Sequence, residues 1–273
     1  ARYTPWIFRL GAEVSSVESF TGRPISLVLG SVFAILFYLA AIILVTGVAA
    51  RVTRYARTPA PLVIPTTPAP LTRTGVVARM AREVVFFESL FKGSKWTWLF
   101  GWLFHFGMVV ALARHLRYFT EPVWWWVAMI QWIGIYAGMA MFAGLTGLWA
   151  RRVLVDRVRY ISAPSDHLML LLLLAIAGSG LVMKYVQHTD IVSLKAFTLG
   201  LLTFDWQPLP ADVPLLIHLS LVITLTLIFP FSKLLHAPGV FFSPTLNMRD
   251  IPREHRHVAP WARDLPGAGP DRS

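Results

Sequence analysis

The chain has 273 residues, 56% of them hydrophobic and only 14% charged, with a mean hydropathy of +0.59, a balance that excludes an ordinary water-soluble domain and demands a lipid solvent. Cysteine is absent, which excludes disulfides, thiolate metal sites and cysteine-ligated iron–sulfur clusters from this chain. The net charge of +11 alternates from loop to loop as membrane topology requires, so no nucleic-acid partner is expected.

Residues 1–24 lack a basic start, an apolar core and a small-residue cleavage site, so they are expected to form a periplasmic N-terminal segment, with the first span doing the targeting. A span needs about 20 mainly apolar residues to cross a roughly 30 Å hydrocarbon layer. The first such run is Ile25 to Ala50, which carries no charge. The connection 51–95 follows, with Arg51, Arg54, Arg57, Arg73, Arg79, Arg82, Lys92 and Lys95. Within it, Thr58 to Pro70 is Pro-rich and predicts an extended cytoplasmic strap, because proline lacks the amide proton a helix needs. Thr72 to Glu88 has helical apolar spacing with arginines and predicts an amphipathic helix along the inner surface.

The second span is Trp96 to Ala113, interrupted only by His105; the third is Val123 to Ala150, uncharged, with the single amide Gln131. The fourth is Leu168 to Met183 and the fifth Val213 to Ser232, containing His218. None alternates apolar and polar residues as a barrel strand does, so the expected fold is all-α: a five-helix membrane domain over 25–238 with a polar cytoplasmic tail, 239–273. Arginine is concentrated after the first and third spans and in the tail, whereas Arg114, Arg117, Lys184 and Lys195 are diluted by Glu121, Asp190, Asp205 and Asp212. The N-terminus is therefore expected outside and the C-terminus inside.

Histidine is the ionisable residue these spans carry. His105 and His115 belong to the second span, and His218 and His236 to the fifth if that helix continues one turn past Ser232. An intramembrane b-type haem needs one neutral imidazole on each face of its iron. The 18-residue step from His218 to His236 rises about 27 Å in a regular helix and returns to the same face. The 10-residue step from His105 to His115 rises about 15 Å and falls roughly 80° short of register. Antiparallel spans put His115 opposite His218 near the outer surface and His105 opposite His236 nearer the cytoplasm, which predicts two stacked haems b. Any one of these histidines is equally explained by a hydrogen bond to a neighbouring helix; two matched pairs favour the ligand role.

Around the ligands, Gly101, Gly107 and Ala111 either admit a flat macrocycle or pack helices, and Pro230 can bend the fifth span. Arg114 and Arg117 are candidate propionate partners outside, Lys95 and Lys233 inside, with interfacial anchoring the alternative for each. Trp124, Trp125 and Trp126 form an aromatic belt. Glu121, Lys184 and His188, with Arg117, are the polar groups available to an outer quinone pocket beside His115. His167 follows Asp166 at a helix start, where capping is the expected role, and His255 and His257 fall in the tail.

The 10-residue and 18-residue histidine spacings on the second and fifth of five spans resemble the gamma subunit of respiratory nitrate reductases, over roughly Ile25 to Pro238. That resemblance implies a dihaem cytochrome b exchanging electrons with quinone or quinol, with the outer haem iron on His115 and His218 and the inner on His105 and His236. The segment His236-Ala-Pro-Gly-Val-Phe-Phe-Ser-Pro-Thr-Leu-Asn and the following Pro252-Arg-Glu-His-Arg-His-Val-Ala-Pro-Trp261 look like the DsrM branch of that superfamily, from a complex of dissimilatory sulfur metabolism. The branch implies a bacterial inner-membrane protein whose partners are a DsrK-like cytoplasmic iron–sulfur subunit of heterodisulfide-reductase type, further membrane and periplasmic subunits, and, indirectly, a DsrC-like sulfur carrier. Nitrate-reductase gamma subunits carry a lysine early in the third span; Val123 to Ala150 has none, so quinone contacts do not transfer. A transporter with a histidine proton relay and a purely structural anchor are the rivals. The first lacks intramembrane carboxylates and paired broken helices.

Overall fold

The computed structural model describes residues 6–59 and 68–250, with side chains from residue 25 onward. In chain order the α-helices are α1 (Trp6–Arg57), α2 (Arg73–Phe86), α3 (Glu88–Gly93), α4 (Lys95–His115), α5 (Trp125–Met129), α6 (Gln131–Leu154), α7 (Asp156–Tyr160), α8 (Pro164–Tyr185), α9 (Ile191–Thr203), α10 (Val213–Ile228), α11 (His236–Gly239) and α12 (Pro244–Asn247). Among the described residues there is no strand. Five helices are long and apolar enough to cross a membrane: Ile25–Arg57, Lys95–Tyr118, Gln131–Leu154, Pro164–Tyr185 and Val213–Phe231. In hydrocarbon each backbone amide and carbonyl must find its partner inside the segment, which an uninterrupted helix achieves.

The five expected spans are present with altered ends. The helix holding the first continues upstream through Pro24 to Trp6. The third starts at Gln131 instead of Val123, because the aromatic run before it forms its own short helix, α5, which ends at Met129 and is capped by Ile130. The fourth begins earlier, at Pro164, where a missing amide proton costs nothing in a first turn. Its capping group is Asp166, which accepts from Ala163 N at 3.1 Å and lies 3.6 Å from the Arg152 guanidinium, so the cap expected of His167 falls to its neighbour.

The fifth span does not continue to His236. α10 stops at Ile228, and 3₁₀ turns at Phe229–Phe231 and Lys233–Leu235 intervene, with Ser232 extended between them and its Oγ accepting from Leu234 N at 3.2 Å. Pro230 has no amide proton to donate, and in a continued α-helix its ring would clash with the carbonyl of Thr226, four residues back. His218 and His236 therefore do not share the one unbroken helix on which their expected same-face relation depended.

The chain divides into two units, Ala1–Leu44 with Trp96–Ile228, and Val45–Lys95 with Phe229–Ser273. In the first, Phe33, Ala34 and Ala40 of α1 form a core with Phe197, Leu209, Leu215 and Ile223. Phe197 belongs to α9, an apolar helix of 13 residues, about 20 Å long and too short to cross the bilayer. Asp190 caps it through Val192 N and Ser193 N, and Tyr38 Oη donates to Leu201 O at 2.8 Å. Phe204 ends it in the left-handed region at φ 59°, a conformation that costs about 1 kcal/mol. Its ring stacks on Tyr38 at 5.2 Å, which offsets that cost.

Small residues set the helix spacing in this unit. A Cβ at Gly107 of α4 would stand 2.7 Å from Ala137 O and Met141 N of α6, and one at Gly144 2.6 Å from Phe104 N. The two backbones touch, so of the two roles open to Gly107 the structure selects helix packing. Between α6 and α8, Tyr185 Oη donates to Ile135 O at 3.0 Å.

In the second unit, Pro230 packs on the end of α1: a Cβ at Gly47 would lie 2.6 Å from Pro230 Cβ. Tyr55 and Phe242 rings stand 6.0 Å apart, and α12 lies against α2. The amphipathic helix expected over 72–88 is α2, capped by Thr72 Oγ1 on Gly75 N at 3.1 Å and ended by Phe87 at φ 52°. Past that corner, Glu88 pairs with Arg82 at 2.7 Å and Lys92 at 2.6 Å. The lysine hydrogen bond first, then the arginine, pull its carboxyl down to about 2. Asp250 N donates to Pro70 O at 3.0 Å. Most of the expected strap, residues 60–67, and the tail motif 252–261 with His255 and His257 lie outside the described residues.

Candidate functional site

His115 is the last residue of α4 and His218 sits in the second turn of α10, so both lie at the end of the first unit where the chain turns through residues 116–124 and 186–212. The two imidazoles are electrostatic neighbours. His115 Nδ1 lies 2.6 Å from Ala111 O, and its ring meets Tyr118 edge-on at 5.8 Å. A carbonyl only accepts, so Nδ1 carries the proton and the lone pair is on Nε2. His218 Nδ1 lies 2.9 Å from Ser179 Oγ, whose own proton goes to Ile176 O at 3.0 Å. Nδ1 is again the donor, leaving the Nε2 lone pair. Metal-bound histidines have this arrangement: the distal nitrogen donates to a fixed acceptor, which sets the tautomer and the ring plane.

The remaining two candidates share the pattern. His105 Nδ1 lies 2.7 Å from Gly101 O, with the ring edge-on to Phe104 at 4.5 Å. His236 opens α11 in the second unit, its Nδ1 3.0 Å from Lys233 O. Among the described residues, His167, in the first turn of the fourth span, and His188, in the loop after that span, hold no such bond.

The cationic candidates divide. Arg114 Nε donates to Gln131 Oε1 at 3.0 Å and its NH1 to Gly134 O at 3.2 Å, while Arg117 NH1 donates to the same Gln131 oxygen at 3.1 Å. One amide thus gathers two guanidiniums beside His115, with most of their donor protons still unspent on it. Lys95 lies over the Phe91 ring at 5.9 Å, and Lys233 opens a 3₁₀ turn. Of the outer polar groups, Glu121 is held in an ion pair by Lys195, a partner not anticipated from sequence. Lys184, in the last turn of α8, and His188, in the loop after it, are exposed.

Sequence reasoning also missed Ser179 and the role of Gln131. Both had a signal: each is a polar side chain in an otherwise apolar span, and Ser179 is flanked by Gly178 and Gly180.

Residues 88–251, which contain all four tied histidines, match the nitrate reductase gamma subunit family. The chain is 37% identical over 279 residues to the Hdr-like menaquinol oxidoreductase cytochrome b-like subunit of Archaeoglobus fulgidus, covering 85% of this chain and 84% of that one. With the protein of the same description from Archaeoglobus profundus it shares 34% over 277 residues, covering 84% and 82%. With the respiratory nitrate reductase 1 gamma chain of Escherichia coli it shares 31% over 153 residues, covering 49% and 68%. A five-span helical chain whose matched region holds both histidine-bearing spans therefore belongs to the nitrate reductase gamma subunit family.

Proposed function

We propose that this chain is a dihaem b membrane subunit that carries electrons between the quinone pool and a cytoplasmic iron–sulfur partner of heterodisulfide-reductase type. The observation that supports it best is the neighbouring pair His115 and His218, each tied at Nδ1 and presenting its lone pair on Nε2. Haem, when bound, supplies one-electron redox chemistry. His115 and His218 would hold the outer group and His105 and His236 the inner one; the last two have the same Nδ1 arrangement. Arg114 and Arg117, gathered by Gln131, supply positive charge for outer propionates. Lys95 and Lys233 are the inner counterparts.

Quinone or quinol is the exchangeable substrate, with Glu121, Lys184 and His188 around its site. The names of the Archaeoglobus relatives join a menaquinol oxidoreductase to the Hdr-like class, which favours a heterodisulfide-reductase-like partner over a nitrate reductase one. The DsrM assignment, with DsrK as that partner and DsrC as sulfur carrier, is the finer form of this reading and rests on the tail motif. The absence of cysteine agrees with it, since any cluster must belong to another subunit.

A reduced-minus-oxidised optical spectrum of the purified protein tests the proposal. A b-type band with two haems per chain is expected, and no band would sink it. His115→Ala or His218→Ala should each remove one and the same haem, and His105→Ala or His236→Ala the other.

A further inference from the structure

α8 carries none of the four candidate ligands, yet it holds the ring of one of them. Ser179 Oγ lies 2.9 Å from His218 Nδ1 and 3.0 Å from Ile176 O. A hydroxyl has one proton and two lone pairs; with the proton committed to Ile176, the oxygen can only accept from His218. The next residue, Gly180, faces the same ring: a Cβ there would lie 3.6 Å from His218 Cε1, ordinary contact distance. Ser179 and Gly180 together thus bound the imidazole along its edge.

This support differs in kind from that of the other three. His105, His115 and His236 tie Nδ1 to a carbonyl three or four residues back on their own segment. His218 sits on α10 and its acceptor on α8. Its ring plane therefore depends on how two helices meet. A hydroxyl that has given its proton to a carbonyl is a polarised acceptor, since hydrogen bonds in a chain strengthen one another.

We propose that Ser179 is the positioning residue for His218: fixed by Ile176, its hydroxyl sets the tautomer and plane of the imidazole across the α8–α10 contact, keeping the Nε2 lone pair directed at a haem iron. The proposal rests on His218 being a ligand, as argued above. Without the hydroxyl, Nδ1–H keeps only the Ile176 carbonyl as acceptor, and the ring is held less firmly in one plane and one tautomer. The consequences belong to one haem only.

The test uses the full chain in detergent or nanodiscs, with haem content, ferric low-spin electron paramagnetic resonance and transfer of haem to a scavenging protein as readouts. Ser179→Ala should retain both haems, shift the resonance of one of them, and speed loss of that haem about tenfold, the lower end of what second-sphere partners contribute to metal affinity. Ser179→Thr, which keeps the hydroxyl, should behave as the parent, and Ser179→Val, of the same shape without it, should behave as Ser179→Ala. The Thr and Val pair reads the same difference if the alanine variant does not fold. His218→Ala runs in parallel. If it removes no haem, the ligand assignment itself has failed. If it removes one while Thr and Val variants are indistinguishable in resonance and haem loss, Ser179 has no positioning role and the proposal is overturned.

Discussion

At the scale of single residues, the candidate site is defined by where protons are held. Four imidazoles donate from Nδ1, three to backbone carbonyls and one to Ser179, and each keeps its lone pair on Nε2. Beside His115, Gln131 Oε1 receives both Arg114 and Arg117. Two like charges at one oxygen are tolerable only while that acceptor is present. Gln131→Leu should therefore destabilise the protein by about 1–3 kcal/mol, the cost of orphaning donors on charged groups. Thermal unfolding in detergent measures it, and Gln131→Glu, which retains the acceptor, should lose less. The four ligand candidates were legible as residue types in apolar runs, whereas their acceptors were not. An i−4 carbonyl is implicit in any helix, but Ser179 reaches His218 only because α8 and α10 meet at that level.

At the scale of elements, backbone contact and corner electrostatics dominate. Gly107→Val would drive a side chain into Ala137 O and Met141 N, which are backbone atoms that cannot step aside. The expected cost is about 1–3 kcal/mol, read as a lower melting temperature. Gly93→Ala is the contrasting case. Nothing lies within 4 Å of a Cβ there, so the change should stabilise by about 0.4–1 kcal/mol by restricting the unfolded chain. At the α2–α3 corner, Glu88 is held at about 2 against an ordinary 4.5, chiefly by Lys92 and then Arg82. A depressed carboxyl stabilises the folded form above its unfolded value and loses that contribution as pH falls toward the folded one. Amide-exchange protection of residues 88–93 should thus decline between about pH 4.5 and pH 2 in the parent chain and stay flat in Glu88→Gln. The screened, exposed setting makes this a local loosening, not global unfolding.

At the scale of the whole molecule, charge distribution bears on how the chain lies in the membrane. The cysteine-free sequence makes single-cysteine labelling clean. With the proposed orientation, Leu71→Cys should react with a membrane-impermeant maleimide only from the cytoplasmic side and Val186→Cys only from the opposite side; both residues are exposed. Labelling of both from one side would refute the topology. The five spans were legible because apolar length is a property of each segment alone. α9 was not, since an apolar helix of 13 residues in a loop carries no length signal and gains its place from Phe197 packing into the α1 and α10 core.

The sequence by itself determined the solvent, the helical class, the five spans, the exclusion of cysteine chemistry and the four histidines worth examining, because hydropathy, residue chemistry and helical spacing are local. Only the tertiary structure decided that α10 ends at Ile228, which removed the single-helix argument linking His218 to His236. It alone assigned Gly107 to a helix contact, set Ser179 against His218 and gave Glu121 to Lys195. Each of these depends on which faces of distant segments meet, and a packed interface is a relation between segments that no single stretch of sequence contains.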